Sequence, residues 1–367
     1  MNTQKKRIAI LGFAKIKYMP YLFYYLNSLS SEDNEIHVLY WNRDSTCDID
    51  ISKQAIVHSV NFDQDDNVPH RKKIKGFLHY RREAVRFLKK EDFDLVIVLT
   101  TLPAILLMGV LKKYYAKRYI FDYRDVTYEG NRFFRTKVMS IVDNAAATFI
   151  SSNGFREVLP ENPNIHVLHN IDASFLDRRK SFRDNIKKNN LPLHISYWGL
   201  IRQEAFNKEI INKLSNDSRF ELHFYGKEQK VYAELQYYCR KAGAKNVYFH
   251  GAYQPAERLD FAHKTHILHN LYENDTMQLA TSNKYYDGPL FYIPQLCNRG
   301  SYMAERVQAD ELGLVCSPQD EFFADTIYEY YTSLDMEQFF KNCDAVIEMA
   351  LSEQQEGKQI LSEILSE

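Results

Sequence analysis

Two glycines, each followed by a basic residue, stand where predicted strands end in the second half of the chain. Gly199 is followed three positions later by Arg202, and Gly226 is followed directly by Lys227. A glycine lets backbone N–H groups approach a phosphate closely, and a basic side chain adds charge-assisted hydrogen bonds. The two loops therefore predict a diphosphate-binding site. The alternative is that glycine ends these strands as in any α/β fold, while the basic side chains simply face solvent.

A polar segment further along the chain adds a third cation. Residues 281–287 read TSNKYYD, and residues 298–301 read NRGS. Hydroxyl and amide side chains stand where helices would begin, and Lys284 and Asp287, three residues apart, share one helix face. We predict that Lys284 meets phosphate and that Asp287 holds a ribose diol, with Asn283 and Ser301 in the same binding site. The alternative is a capped helix with an exposed ion pair that contributes little.

In the first half, a predicted strand ends in FDYRD, residues 121–125. An acid at a strand end can orient or deprotonate the hydroxyl of an acceptor molecule. We therefore predict Asp125 and Arg124 as catalytic residues. The alternative is a buried Arg–Asp pair that only positions the loop.

Several common cofactor motifs are absent from the sequence. The first predicted strand runs into LGFA (residues 11–14) without GxGxxG, and the second exits through YWNR (residues 40–43) without an acid. These features disfavour nicotinamide and flavin dehydrogenases, and no GxxxxGK[ST] supports a P-loop. The five cysteines are scattered without metal-ligand spacing, and there is no DxD motif. We predict neither a metal site nor a bound cofactor.

Short apolar runs alternate with helix-length patterns in both halves of the chain. Such alternation predicts parallel sheets covered by helices. We expect an α/β fold with two Rossmann-like domains facing across a cleft, where ligands bind outside the carboxyl ends of the strands. The runs are 7–11, 35–40, 55–60, 94–99, 118–121, 147–150 and 166–168, then 193–198, 220–225, 246–249, 266–271, 290–293 and 313–316.

The length of 367 residues suits two domains. The polar stretch 172–190 has almost no apolar periodicity and indicates the connection between them. We predict an N-terminal domain at residues 1–175 and a linker at 176–190. A C-terminal domain follows at 191–334, and helices at 335–367 pack back on the domains.

Charge and hydropathy bound the partners and the location. The formal net charge of −1 disfavours nucleic acid as a partner. The N-terminal apolar run is shorter than an export signal needs. The longest uncharged run, residues 95–111, is broken by Thr100, Thr101 and Pro103, which predicts a buried strand followed by a buried helix. We therefore expect a cytoplasmic protein.

Residues 70–90 form a basic, amphipathic pattern. This segment has nine Lys or Arg residues against one Glu. We predict peripheral contact with the inner face of the cell membrane through this segment, and the alternative is a solvated helix outside the sheet. The predicted apolar stripe is Ile74, Phe77, Leu78, Val85 and Leu88.

Taken in order, these segments resemble the GT-B glycosyltransferases, most nearly the large retaining family of bacterial capsule, exopolysaccharide and lipopolysaccharide transferases. FDYRD resembles the "DxRD" segment of that family's acceptor domain. The chain departs from the pattern at Leu279, which replaces the first of two glutamates, and Asp287 takes the second position. Gly288–Pro289 is expected to interrupt the helix, and Tyr292 replaces a usual glycine. The donor-domain segments are LHNID (168–172, like "HNGID"), YWG (197–199), YGK (225–227), FHG (249–251) and NKYYD (283–287) with Pro294, like "NKxxE(x6)P".

The resemblance implies that the N-terminal domain binds the acceptor and the C-terminal domain binds the donor. It also implies a hexosyltransferase that is metal-independent and retaining. Its substrate is a nucleotide sugar such as a UDP- or GDP-sugar, and its acceptor is a glycan or lipid-linked oligosaccharide of bacterial surface polysaccharide biosynthesis. In retaining chemistry the donor phosphate can take the acceptor proton, and Asp125 would then only position the acceptor. Two alternatives stay open: a catalytically inactive GT-B-like subunit, and a UDP-sugar 2-epimerase of GT-B type.

Overall fold

The computed structural model describes residues 5–29, 32–64, 70–184, 191–273 and 278–366. Its contacts divide the chain into two compact units. The first unit is Met1–Asn170 with Ser352–Glu367, and the second is Ile171–Leu351.

The first unit contains a seven-stranded parallel sheet in the order β3-β2-β1-β4-β5-β6-β7. The order reverses between β1 and β4, which makes the carboxyl ends of these strands the position where such sheets bind ligands. Its elements are β1 (Lys6–Leu11), α1 (Leu22–Ser28), β2 (Asn34–Asn42), β3 (Ile56–Asn61), α2 (His70–Lys90), β4 (Leu95–Leu99), α3 (Thr101–Tyr114), β5 (Tyr119–Tyr123), α4 (Arg132–Asn144), β6 (Ala147–Ile150) and β7 (Ile165–Val167).

The second unit contains a six-stranded parallel sheet in the order β10-β9-β8-β11-β12-β13. Here the order reverses between β8 and β11. Its elements are α5 (Arg179–Asp184), β8 (Leu193–Trp198), α6 (Glu204–Leu214), β9 (Phe220–Tyr225), α7 (Lys230–Ala242), β10 (Val247–Gly251), α8 (Arg258–Ala262), β11 (Ile267–Asn270), α9 (Asn283–Phe291), β12 (Gln295–Asn298), α10 (Tyr302–Ala309), β13 (Gly313–Cys316) and α11 (Phe323–Ser333); α12 (Met336–Ser366) contributes residues to both units.

The contact division differs from the domain limits drawn from the sequence. It places residues 171–184 with the second unit, because Phe175 and Phe182 are buried in that unit's core. It also divides α12 after Leu351. Residues 185–190 of the predicted linker lie outside the described residues.

The uncharged run at residues 95–111 forms β4 and the first part of α3, as predicted. All five residues of β4 are buried, which is typical of a central parallel strand. No helix in the described part of the chain is long and apolar enough to cross a membrane.

The predicted strand at residues 290–293 is wrong. Helix α9 continues to Phe291, and the strand is β12, Gln295–Asn298. Seven consecutive residues of α9 are buried, and a short apolar run buried on all sides does not distinguish a helix from a strand by its periodicity. Tyr292 ends the helix with φ +52°, in the left-handed conformation that glycine adopts more easily than tyrosine.

The expected interruption of this helix at Gly288–Pro289 is also wrong. Pro289 lies inside α9 and offers no N–H to the carbonyl of Tyr285. The buried side chain of Gln295 donates to that carbonyl instead, from Nε2 at 2.8 Å. A Cβ on Gly288 would lie 2.3 Å from the same Nε2, so the glycine leaves room for this substitute hydrogen bond. Lys284 and Asp287 therefore stay on one continuous helix.

Residues 70–90 form a helix as predicted, but its buried face differs from the predicted stripe. Ile74 and Leu78 are 52% and 57% exposed. Leu88 of the predicted stripe is buried, together with Tyr80 and Ala84, which the predicted stripe did not include. These three residues are spaced four positions apart and therefore lie along one face of the helix. That face excludes Ile74 and Leu78.

Candidate functional site

Two glycines shape the carboxyl ends of β8 and β9. Gly199 follows β8 with φ +111°, a backbone conformation that residues other than glycine rarely adopt. Gly226 follows β9, and a Cβ there would lie 2.1 Å from the carbonyl oxygen of Gly199. The two predicted phosphate loops are therefore adjacent, and neither glycine can gain a side chain without moving the backbone.

Lys284 reaches these loops from the first turn of α9. A Cβ on Gly199 would lie 3.4 Å from Lys284 Cε. The Lys284 Nζ lies 3.6 Å from the ring centroid of Tyr197 and donates to the hydroxyl of Tyr272 at 2.7 Å. Because Tyr197 belongs to β8 and Tyr272 follows β11, the ammonium lies at the point where the strand order reverses.

Burial lowers the pKa of Lys284 to about 7. The charge of Asp287 raises this pKa and the charge of Arg202 lowers it further. The opposite charge of Asp287 only partly offsets the cost of burying this ammonium, so an added anion would stabilise the charged form. An anion bound beside Lys284 would favour its charged form and raise its pKa.

Asp287 is buried one helix turn from Lys284 and pairs with Arg258. Arg258 Nη1 lies 3.0 Å from Asp287 Oδ1, its Nη2 bonds to Asp172, and its guanidinium packs 4.7 Å from the ring centroid of Phe175. Burial raises the pKa of Asp287 to about 6, with Arg258 and Lys284 lowering it and Asp172 raising it. The carboxylate is thus already held by a cation, and its predicted role toward ribose stays a prediction.

The remaining predicted donor residues have different surroundings. Arg202, Lys227 and Asn283 are exposed, and Asn283 is the first residue of α9. Ser301 is buried and caps α10, because its Oγ accepts from the N–H of Ala304 at 3.1 Å. The structure brings Gly199, Gly226 and Lys284 together, whereas the hydroxyl of Ser301 already has a structural partner.

In the first unit, a cavity of 420 Å³ lies at the carboxyl ends of β1, β4 and β5. Asp125 is exposed there and lines it. Thr100, between β4 and α3, adopts φ +76°, and strained residues of this kind cluster at functional sites. Other side chains around the cavity are Phe13, Tyr21, Arg43 and Tyr128.

The contacts of Arg124 are those of a buried structural residue. It is buried, its Nη2 lies 2.8 Å from Asp122 Oδ2, and its Nη1 donates to the carbonyl of Leu168 at 3.0 Å. The hydroxyl of Tyr25 donates to the same carboxylate at 2.6 Å. This is the buried Arg–Asp pair that the sequence left open, with Asp122 as the partner. A catalytic role for Arg124 stays a prediction.

No family model and no curated protein sequence matches this chain. Solved structures do match it. It is similar to sucrose-phosphate synthase from Thermosynechococcus elongatus, with TM-score 0.73 and 11% identity over 98% of this chain and 100% of that chain. HepE from Anabaena, solved in complex with UDP and glucose, gives TM-score 0.67 and 12% identity over 96% and 99%.

A third similar structure is WaaG, a glycosyltransferase involved in lipopolysaccharide biosynthesis, with TM-score 0.64 and 12% identity over 96% of this chain and 99% of that chain. The chain has the GT-B fold. Identities this low establish the fold alone. The predicted α/β class with two parallel-sheet domains is confirmed, and the GT-B assignment is confirmed with it.

Three residues around Lys284 and Asp287 in this GT-B chain escaped the sequence analysis. Tyr197 and Tyr272 border the ammonium, and Arg258 holds Asp287. Tyr197 could have been found, because it sits inside the YWG segment next to Gly199. No sequence pattern could have identified Arg258. It lies on the short helix α8, 29 residues before its partner Asp287.

Proposed function

We propose that this protein is a glycosyltransferase that transfers a hexosyl group from a nucleoside diphosphate sugar to a glycan or lipid-linked oligosaccharide. The observation that carries the proposal is the Lys284 ammonium beside Gly199, where the strand order reverses. A GT-B neighbour crystallised with UDP and with UDP-glucose supports a nucleotide sugar as the donor. The alternative epimerase and inactive-subunit functions are not favoured, since the named neighbours are transferases and a synthase.

In this proposal Lys284, together with the exposed Arg202 and Lys227, receives the diphosphate. During transfer the bond between the anomeric carbon and the diphosphate oxygen breaks, and negative charge grows on the leaving diphosphate. Cations already in place stabilise that charge without reorganisation, which is the electrostatic term that catalysis most often rests on. The proposed step uses no metal ion. Asn283 and Ser301 are proposed neighbours of the nucleotide, and Asp287 is proposed to approach the ribose.

The acceptor is proposed to bind at the cavity of the first unit that Asp125 lines. The acceptor hydroxyl forms the new bond to the anomeric carbon. Its proton goes to Asp125 or, in retaining chemistry, to an oxygen of the donor phosphate. We propose retention, as the family resemblance implies, and a role in bacterial surface polysaccharide biosynthesis, which the printed role of WaaG supports.

Helix α2 is proposed to touch the inner face of the cell membrane. Its exposed Ile74 and Leu78 lie close in sequence to the basic residues Lys73, Lys75 and Arg81. Apolar side chains beside basic ones suit an anionic lipid surface. Binding to phosphatidylglycerol vesicles that is lost in Ile74→Ser/Leu78→Ser would support this contact, and equal binding of both proteins would overturn it.

The test of the donor site is a thermal-shift screen against UDP, GDP, ADP and their sugars, followed by titration calorimetry with the ligand that shifts the melting temperature. We expect Lys284→Ala and Arg202→Ala each to weaken binding more than about tenfold, which corresponds to about 1.4 kcal/mol. Lys241→Ala, an exposed lysine on α7, is the matched control. Unchanged affinity in both site variants would overturn the assignment, and slow donor hydrolysis by the wild type would exclude an inactive subunit.

A further inference from the structure

Two histidines and a glutamate converge on one face of the second sheet, away from the donor site. His194 is the second residue of β8, and Glu221 is the second residue of β9 and its direct partner in register. His223 lies two residues further along β9, so its side chain emerges on the same face as that of Glu221. Gly199 and Gly226 follow the opposite ends of these strands, so the cluster is separate from the phosphate loops.

The distances within this cluster suit a bound metal ion. Glu221 Oε2 lies 3.1 Å from His194 Nε2 and 3.2 Å from His223 Nε2. In a tetrahedral zinc site with bonds of about 2.0–2.1 Å, neighbouring donor atoms are about 3.3 Å apart. One ligand atom from each of the three residues lies within 4.8 Å of the others. The side chains keep 11–27% exposure, which leaves room for an ion to enter.

A neighbouring histidine orients His223. The Nδ1 of His223 lies 3.0 Å from Nε2 of His250 on β10, so the ring can donate from Nδ1 to His250 while Nε2 binds an ion. Histidine ligands of metals usually have such a partner on the other ring nitrogen.

The first sheet repeats this arrangement with one decisive difference. Glu35 and His37 on β2 correspond to Glu221 and His223, and His37 Nδ1 lies 3.1 Å from Nε2 of His58 on β3. On the adjoining strand, however, Glu35 is in register with Arg7, whose Nε lies 2.8 Å from Glu35 Oε1. A guanidinium thus neutralises the carboxylate in the first sheet, and the imidazole of His194 takes its place in the second.

We propose that His194, Glu221 and His223 bind one divalent transition-metal ion of the zinc class, with water completing its coordination. Two imidazoles and one carboxylate form a ligand set that zinc uses in proteins. The ion links β8 to β9 and stabilises the second unit. It takes no part in the proposed sugar transfer, so the metal site and the donor site succeed or fail independently.

The test is a titration of the tag-free, metal-stripped chain with ZnCl₂ against a chromophoric chelator, with MgCl₂ as the comparison. Cys47 is an exposed thiol that could bind zinc, so the experiment uses a Cys47→Ser background. We expect one equivalent of Zn²⁺ to bind and to raise the melting temperature. X-ray absorption of the complex should show nitrogen and oxygen ligands.

The matched variant is His194→Arg, which recreates the Arg7–Glu35 pair of the first sheet. The new arginine would neutralise the carboxylate of Glu221 and keep an ion pair between β8 and β9. We expect it to melt like the metal-free wild type and to lose Zn²⁺ affinity by about a hundredfold, whereas His58→Asn in the first sheet leaves the affinity unchanged. Absence of saturable Zn²⁺ binding, equal affinity in His194→Arg, or sulfur ligands in the absorption spectrum would each overturn the proposal.

Discussion

Binding of the donor diphosphate should be coupled to proton uptake by Lys284. With a pKa of about 7, half of the lysine is neutral at that pH, and the neutral fraction grows as the pH rises. A bound diphosphate favours the ammonium and raises its pKa in the complex. As the pH rises above 7, proton uptake must therefore increase from about one half toward one proton per binding event, and the apparent affinity must fall.

The size of this effect follows from the protonated fraction. From pH 7 to pH 9 that fraction falls from about one half to about one hundredth, so affinity should fall about fiftyfold, or about 2.3 kcal/mol. Below about pH 6 nearly all of the lysine is charged, and the affinity should level off at about twice its value at pH 7.

Titration calorimetry with the donor sugar identified by the thermal-shift screen measures this directly. A nucleotide sugar has no phosphate proton that titrates in this range, so the proton uptake belongs to the protein. Repeating the titration in buffers with different ionisation enthalpies counts the protons. Lys284→Met should bind weakly with no pH dependence above pH 7. A flat wild-type affinity from pH 7 to 9, or an equal slope in Lys284→Met, would refute the reasoning.

Three further predictions concern stability and turnover. The folded pKa of Lys284 lies below its unfolded value of 10.5, so its charge lowers the free energy of unfolding below pH 7, and this cost fades as the pH rises toward 10.5. Lys284→Met should therefore raise the ligand-free melting temperature by several degrees at pH 6, with Lys241→Met unchanged. Arg258→Met leaves two carboxylates, Asp172 and Asp287, without their cation and should cost about 3–5 kcal/mol in urea unfolding. Asp125→Asn should lower turnover without changing the melting temperature, whereas Arg124→Met should lower the melting temperature through its buried pair with Asp122.

Each of these predictions has an outcome that contradicts it. A lower melting temperature in Lys284→Met would mean that the ammonium stabilises the empty site. A cost below about 1 kcal/mol for Arg258→Met would mean that its two ion pairs are effectively solvated. Equal melting of the Arg124→Met variant and the wild type would mean that the buried pair with Asp122 does not stabilise the fold.

Strands β8 and β9 were predictable because apolar and polar residues alternate along them. Leu193–Trp198 and Phe220–Tyr225 have the predicted limits to the residue. The strand after α9 was not predictable in this way, because residues 285–298 are buried without a break and their periodicity carries no information. The substitute hydrogen bond from Gln295 to Tyr285 decided that Pro289 stays in a helix, and it joins residues ten positions apart across two elements.

By itself the sequence determined the alternation of strands and helices, the two glycine loops and the placement of Lys284 at the start of a helix. These features depend on neighbours along the chain and on residue type, which a single sequence displays. Only the tertiary structure decided which charges meet. It paired Asp287 with Arg258 and Arg124 with Asp122, and it gathered His194, Glu221 and His223 from adjacent strands. The energies of these groups depend on burial and on distances of a few ångströms between residues far apart in sequence, because Coulomb interactions and desolvation both change steeply over that range.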